Sequence, residues 1–307
     1  MPKPKTLETV KTTAKTKQSR VPYFDVLNVV ACLAVILIHH NGLAHHFSPS
    51  SAWVEAMVIE CVAYWAVPVF FMLSGATLLD YKKRYSTRVY FKKRIRRSIV
   101  PFIAWSALGY AWKVAIGQMH TVGPKSFVSM MLNSQIIDVY WFFIPLFGLY
   151  LAYPLLAEIV ENVGEKYLWY GVGLYVVFNA TLPMIAAMLG VKFNPDIKTP
   201  IFFSYMIYPI LGYLLSKRSI GKREARAIYL LGAVALLLKF FITVIISLRT
   251  QKLYTVFFNY QYITTILLAA AVFVLAKRIS WERVLGANGG GGWPSCRYCH
   301  PVVLVST

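Results

Sequence analysis

Eight apolar runs, each near the roughly 20 residues an α-helix needs to cross a bilayer, constrain this chain more than any other feature. They lie at about 24–44, 54–79, 99–116, 139–157, 167–189, 200–216, 228–248 and 256–276. Apolar residues make up 58% of the 307 and charged residues 14%, which leaves too little polar surface for a soluble fold of this size. The expected fold class is all-α: a polytopic transmembrane helix bundle of about eight spans. Trp and Tyr gather near several span ends, as interfacial anchors do.

The net charge of +20 suggests nucleic acid until its distribution is read. Lys and Arg sit in blocks between the spans, where they meet anionic headgroups of membrane lipids. Loops on the N-terminal side of the membrane carry 24 of them, against 5 in the alternate loops. That bias predicts a multi-pass cell-membrane protein with its N-terminus cytoplasmic. No nucleic-acid partner is expected. Residues 1–22 read as a basic, disordered cytoplasmic tail without a secretory cleavage site; 23–285 read as the membrane domain. Residues 286–307 are atypical, with four consecutive glycines and then Cys296, Cys299 and His300 in the spacing of c-type haem attachment. The cytoplasmic side and the short remainder argue against haem, so an altered or truncated C-terminus is the expectation. The four cysteines imply no disulfide framework, and no metal site is expected.

Within the first run, Tyr23 to His40, the residues Asp25, Asn28, Cys32, Val35, His39 and Gly42 recur three or four apart and share one helix face. An ionisable group inside a membrane costs about 2.5–3.5 kcal/mol on insertion scales, so it is expected to face the protein interior. A shallow, hydrated position at the headgroups is the alternative for His39 and His40.

This stretch resembles the opening of the membrane acyltransferase 3 family, which includes bacterial O-acetyltransferases of surface polysaccharides. Tyr23-Phe24-Asp25-Val26-Leu27 leads to Asn28, then ten residues, then His39. Val67 to Gly75 is similar to the family's apolar run closing on Ser-Gly. Phe91 to Arg97 with Val100-Pro101 resembles its basic loop and proline, and Trp141-Phe142-Phe143 through Tyr150 and Pro154 its central span. Two departures stand out: the family's arginine ten residues before the histidine is Asn28 here, and its late Tyr-x-x-His-Pro-like segment survives only as Tyr298 to Pro301.

The resemblance implies acyl transfer, with acetyl-CoA as donor substrate and no tightly bound cofactor. His39 is then the candidate base that takes the acceptor hydroxyl's proton. Glu60, at similar depth, is the candidate that orients it; pairing of Glu60 with Lys113 is the competing reading. Asp25 lies about 21 Å from His39 along the helix, so it either caps the helix start or lines the donor entrance beside Asn28. The block from Lys82 to Arg97 holds nine basic residues, of which Arg94 and Arg97 are candidates for the phosphates of acyl-CoA; orientation alone also demands such a block. Ser74 beside Gly75 reads as close helix packing rather than a nucleophile. Trp141 and Tyr150 are candidate substrate-binding residues; Trp141, with Phe142 and Phe143, offers rings to stack on a sugar, and an aromatic belt explains those three as well. Lys239 is an unexplained charge inside a span.

The expected activity is transfer of an acyl group, acetyl above all, to a hydroxyl of a cell-envelope glycan or lipid-linked glycan. The competing classes are a transporter or lipid-linked glycan flippase, and a non-catalytic remnant.

Overall fold

The computed structural model describes residues 21–119, 122–202 and 204–281, so the expectations for the first 20 residues and for 286–307 fall outside the described residues. Among these residues every regular element is helical, with no strand. Five helical segments are long and apolar enough to cross a membrane: Pro22–His40, Ser51–Lys83, Asp138–Asn162, Glu165–Met188 and Lys222–Thr250.

The first, α1 (Pro22–His40), starts with proline at its first position, where the missing N–H is not needed. After a short turn, α2 (Ser51–Ala63) is capped by Ser50, whose hydroxyl accepts from the Trp53 amide at 3.3 Å. The chain continues almost without interruption into α3 (Ala66–Leu78). The break at Tyr64–Trp65 lies four residues before Pro68, which cannot donate to the Tyr64 carbonyl. Two further interruptions follow the same rule. A π-helical turn at Ile95–Ile99, between α4 (Thr87–Arg94) and α5 (Val100–Ala115), precedes Pro101. Another at Tyr175–Thr181 follows α6 (Pro124–Leu132), α7 (Phe143–Asn162) and α8 (Glu165–Leu174), and precedes Pro183 in α9 (Leu182–Met188). The last helices are α10 (Ile207–Lys217), α11 (Lys222–Thr250) and α12 (Ile263–Arg278).

These five helical segments do not confirm the expected count of about eight. The runs at 99–116, 200–216 and 256–276 form α-helices of only 16, 11 and 16 residues. The run at 200–216 loses its first third because residues 200–202 are bends and Ser204–Met206 is a single 3-10 turn, so α-helix begins only at Ile207. At about 1.5 Å per residue, α10 covers roughly 16 Å, half the hydrocarbon thickness. Such a piece is tolerated where protein covers it, and eight of its eleven residues are buried.

What covers it is α3, through the closest helix crossing in the bundle. A Cβ on Gly75 would overlap the Pro209 carbonyl, and one on Gly212 would overlap the Met72 carbonyl. Small residues let backbones touch where lipid offers no hydrophobic drive. Ser74 is buried in the same interface, donating to the Phe71 carbonyl at 2.8 Å and hydrogen-bonded to the Tyr153 hydroxyl of α7. The packing reading of Ser74–Gly75 therefore describes this crossing.

Candidate functional site

Two buried polar clusters stand out, one around Arg94 and one around Glu60. Arg94 closes α4 and is 2% exposed. In the π-helical turn after it, Arg96 and Arg97 are exposed, while Ser98, four residues on from Arg94, is buried with it. The Arg94 guanidinium lies 5.9 Å from the Tyr90 ring centroid and 5.6 Å from that of Tyr150. Tyr150 on α7 is hydrogen-bonded to Arg94 and to Ser98. Yet the Arg94 Nε and Nη2 atoms have no hydrogen-bond partner, and no carboxylate pairs with Arg94 among the described residues. A guanidinium buried without an anion is strongly unfavourable, so this site fits an incoming oxyanion. Beside it, the Lys93 ammonium lies 3.8 Å from the Tyr85 ring centroid. Partial burial and the nearby Arg97, Arg84 and Arg94 hold its pKa below the usual lysine range. Burial and Arg94 likewise lower that of Arg97. The patch is over-supplied with positive charge.

The hydroxyl of Tyr90 completes the cluster by donating to the Tyr150 carbonyl at 3.1 Å. Tyr81 stacks on Tyr90 at 4.5 Å. Sequence reasoning singled out Arg94 and Tyr150, which meet, but missed Tyr90. The signal for it is Pro154, four residues after Tyr150, which marks a carbonyl needing an outside donor.

The second cluster lies toward the C-terminal end of α1. Glu60, 2% exposed on α2, accepts from Asn41 Nδ2 at 3.5 Å. Asn41 also donates to the Ala56 carbonyl at 2.7 Å, so the residue that ends α1 pins α2. His45 and Lys239 interact electrostatically with Glu60. No hydrogen bond or ion pair joins Glu60 to His39 or to Lys113; Lys113 donates instead to the Gln135 carbonyl at 3.1 Å. His39 interacts electrostatically with His45 and His40, so the exposed His45 acts on both His39 and Glu60. Asn41 and His45 were not picked out from sequence. Both follow the apolar run at the turn into α2, where a polar residue reads as ordinary loop.

The face of α1 predicted to point inward is also corrected. Tyr23, Leu27, Asn28, Ala31, Ala34 and Ile38 form the buried stripe. Of the expected face only Asn28 is buried, while Cys32 and Val35 are half-buried and Asp25 and His39 exposed. Because α1 is aliphatic nearly all round, hydropathy does not select a face, and the small residues Ala31 and Ala34 set the packed one. Asp25 sits in the first turn but makes no capping hydrogen bond.

Trp141 occupies a tight turn before α7 and stacks on Tyr260, 5.3 Å between centroids and 23° between planes. Tyr260 stacks in turn on Tyr64 at 4.3 Å and 8°. The three rings link the start of α7 to the Pro68-induced break after Glu60.

A family model described as an acyltransferase domain matches residues 21–283. The chain belongs to the acyltransferase 3 family. No curated protein and no solved structure gives a match. Arg94 is a buried cation with no carboxylate partner among the described residues, and the cluster around Glu60 holds a buried carboxylate with the His45 imidazole acting on it. The chain is a multi-pass membrane acyltransferase.

Proposed function

We propose that this protein transfers an acetyl group from acetyl-CoA to a hydroxyl of a cell-envelope glycan or lipid-linked glycan. The observation that carries the reading is Arg94, buried, fixed by Tyr150 and facing no carboxylate, in a chain of this family. Phosphates of the donor pair with its free Nε and Nη2 edge and with Arg97 at the exposed rim. With the N-terminus cytoplasmic, this rim opens to the compartment that holds acetyl-CoA.

In the transfer, the acceptor oxygen attacks the thioester carbonyl as His39 takes its proton. The tetrahedral intermediate then collapses, the C–S bond breaks, and the CoA thiolate takes the proton back from His39. Glu60 acts through His45 and Asn41, orienting the imidazole end of the site rather than touching the reacting atoms. Asp25 and Asn28 line the α1 side of the donor route. Trp141, stacked on Tyr260, offers an aromatic face to the acceptor sugar, and the buried Tyr150 holds Arg94 for the donor.

The test is transfer from labelled acetyl-CoA to glycan acceptors by the purified full chain, beside His39→Ala, Arg94→Gln and Asn28→Arg. Transfer that disappears in His39→Ala supports the base. Activity gained in Asn28→Arg supports a donor site weakened at that position. Silence in all four proteins with the helical fold intact overturns the reading, and substrate movement across vesicles without acylation assigns the chain to transport instead.

A further inference from the structure

Lys239, on α11, is 1% exposed, and its ammonium has no hydrogen-bond partner. It lies 3.0 Å from the Tyr64 ring centroid and 5.3 Å from that of Phe258. Its charged neighbourhood holds one acid, Glu60, across the α2–α11 interface; Cys61 is the other titratable group acting on it. Glu60 itself accepts a hydrogen bond from Asn41, and the two cationic side chains acting on it electrostatically are His45 and this lysine. On α11 the buried face changes character at this level. Gly232 and Ala235 are small, whereas Lys239, Thr243 and Ser247, one turn apart, are polar and buried. Beyond them, an apolar cluster of Ala44, Trp53, Ala56, Met57 and Val244 closes the interface toward the end of the bundle. Tyr64, which the Pro68 break releases from regular helix, faces the ammonium with its ring rather than a donor, as a cation–π partner does.

We propose that Lys239 is the buried counter-ion of Glu60 and a positioning residue for that carboxylate. Each charge is unfavourable alone in this interior, and removing one partner leaves the other uncompensated. The ammonium balances the Glu60 carboxylate from the α11 side, which steadies the Asn41 and His45 end of the site. For activity, this rests on the acyltransferase reading above; for structure, it does not.

The experiment measures thermal unfolding of the full chain in detergent for Lys239→Met, Glu60→Gln and the double variant, with Thr243→Val as a packing control on the same ridge. Coupling predicts that each single neutralisation lowers Tm and that the double variant recovers most of the loss. Acetyl transfer is measured in parallel. Lys239→Met is expected to lower kcat about tenfold or more at unchanged KM for acetyl-CoA, and Lys239→Arg to restore most of it. Additive Tm shifts, or a Lys239→Met protein that behaves as Thr243→Val does, overturn the proposal. A parent protein with no transferase activity overturns the function assigned above, and the unfolding cycle still decides the pair.

Discussion

The hydroxyl of Tyr90 donates to the main-chain carbonyl of Tyr150 at 3.1 Å, the carbonyl that Pro154 leaves without its helical donor. Tyr90→Phe strands that carbonyl inside the bundle and is expected to lower stability by about 1–3 kcal/mol. In Pro154→Ala the helix supplies the missing N–H, so Tyr90→Phe on that background costs much less. Thermal unfolding of the four proteins measures the difference.

Arg94→Gln removes the buried cation and is expected to raise KM for acetyl-CoA about tenfold or more, the scale of a lost charge-assisted hydrogen bond of about 1.5–3 kcal/mol. Arg94→Lys keeps the charge but loses the planar fork, so it recovers only part of the binding. Competition by free CoA, measured against both variants, separates donor binding from chemistry.

Gly75→Ala and Gly212→Ala each drive a methyl group into a backbone carbonyl of the partner helix. A rigid backbone neighbour puts the penalty at about 3 kcal/mol, the upper part of the range for overpacked cores. Both variants are expected to give little monodisperse protein in gel filtration, whereas Gly148→Ala, which meets nothing within 4 Å, behaves as the parent does.

From the distribution of Lys and Arg, the turn after α1 and the basic loop before α4 are expected on opposite sides of the membrane. Ser48→Cys and Ser86→Cys, both exposed, report those sides in a background carrying Cys296→Ser and Cys299→Ser. An impermeant maleimide added to intact cells is expected to label Cys at 48 and to spare Cys at 86. The reverse pattern inverts the orientation.

The membrane-helix class and the family segments were legible because hydropathy and motif order survive any arrangement of the helices. Ser74 and Gly75 were legible for a related reason: small residues in an apolar run mark helix crossings. Where helix begins within an apolar run was not legible. A 17-residue apolar run such as 200–216 looks the same whether it is all helix or, as here, helix only from Ile207. The inward face of α1 was hidden for the opposite reason, since lipid and protein interior are equally satisfied by Val29, Leu33 or Leu37. Helix phase was a third blind spot. Arg94 and Ser98, four apart, share the buried face while Arg96 and Arg97 are exposed, and in a block of nine basic residues charge alone does not show which one turns inward.

The brevity of α10 bears on how the protein is made. Eleven residues cannot span a bilayer independently, so α10 has no stable state in lipid before its partner is in place. Its glycine seats against α3, which is synthesised well over a hundred residues earlier. The N-terminal helices therefore serve as the template on which the later half is assembled, and a chain released before α3 has inserted correctly would leave α10 without a place to dock.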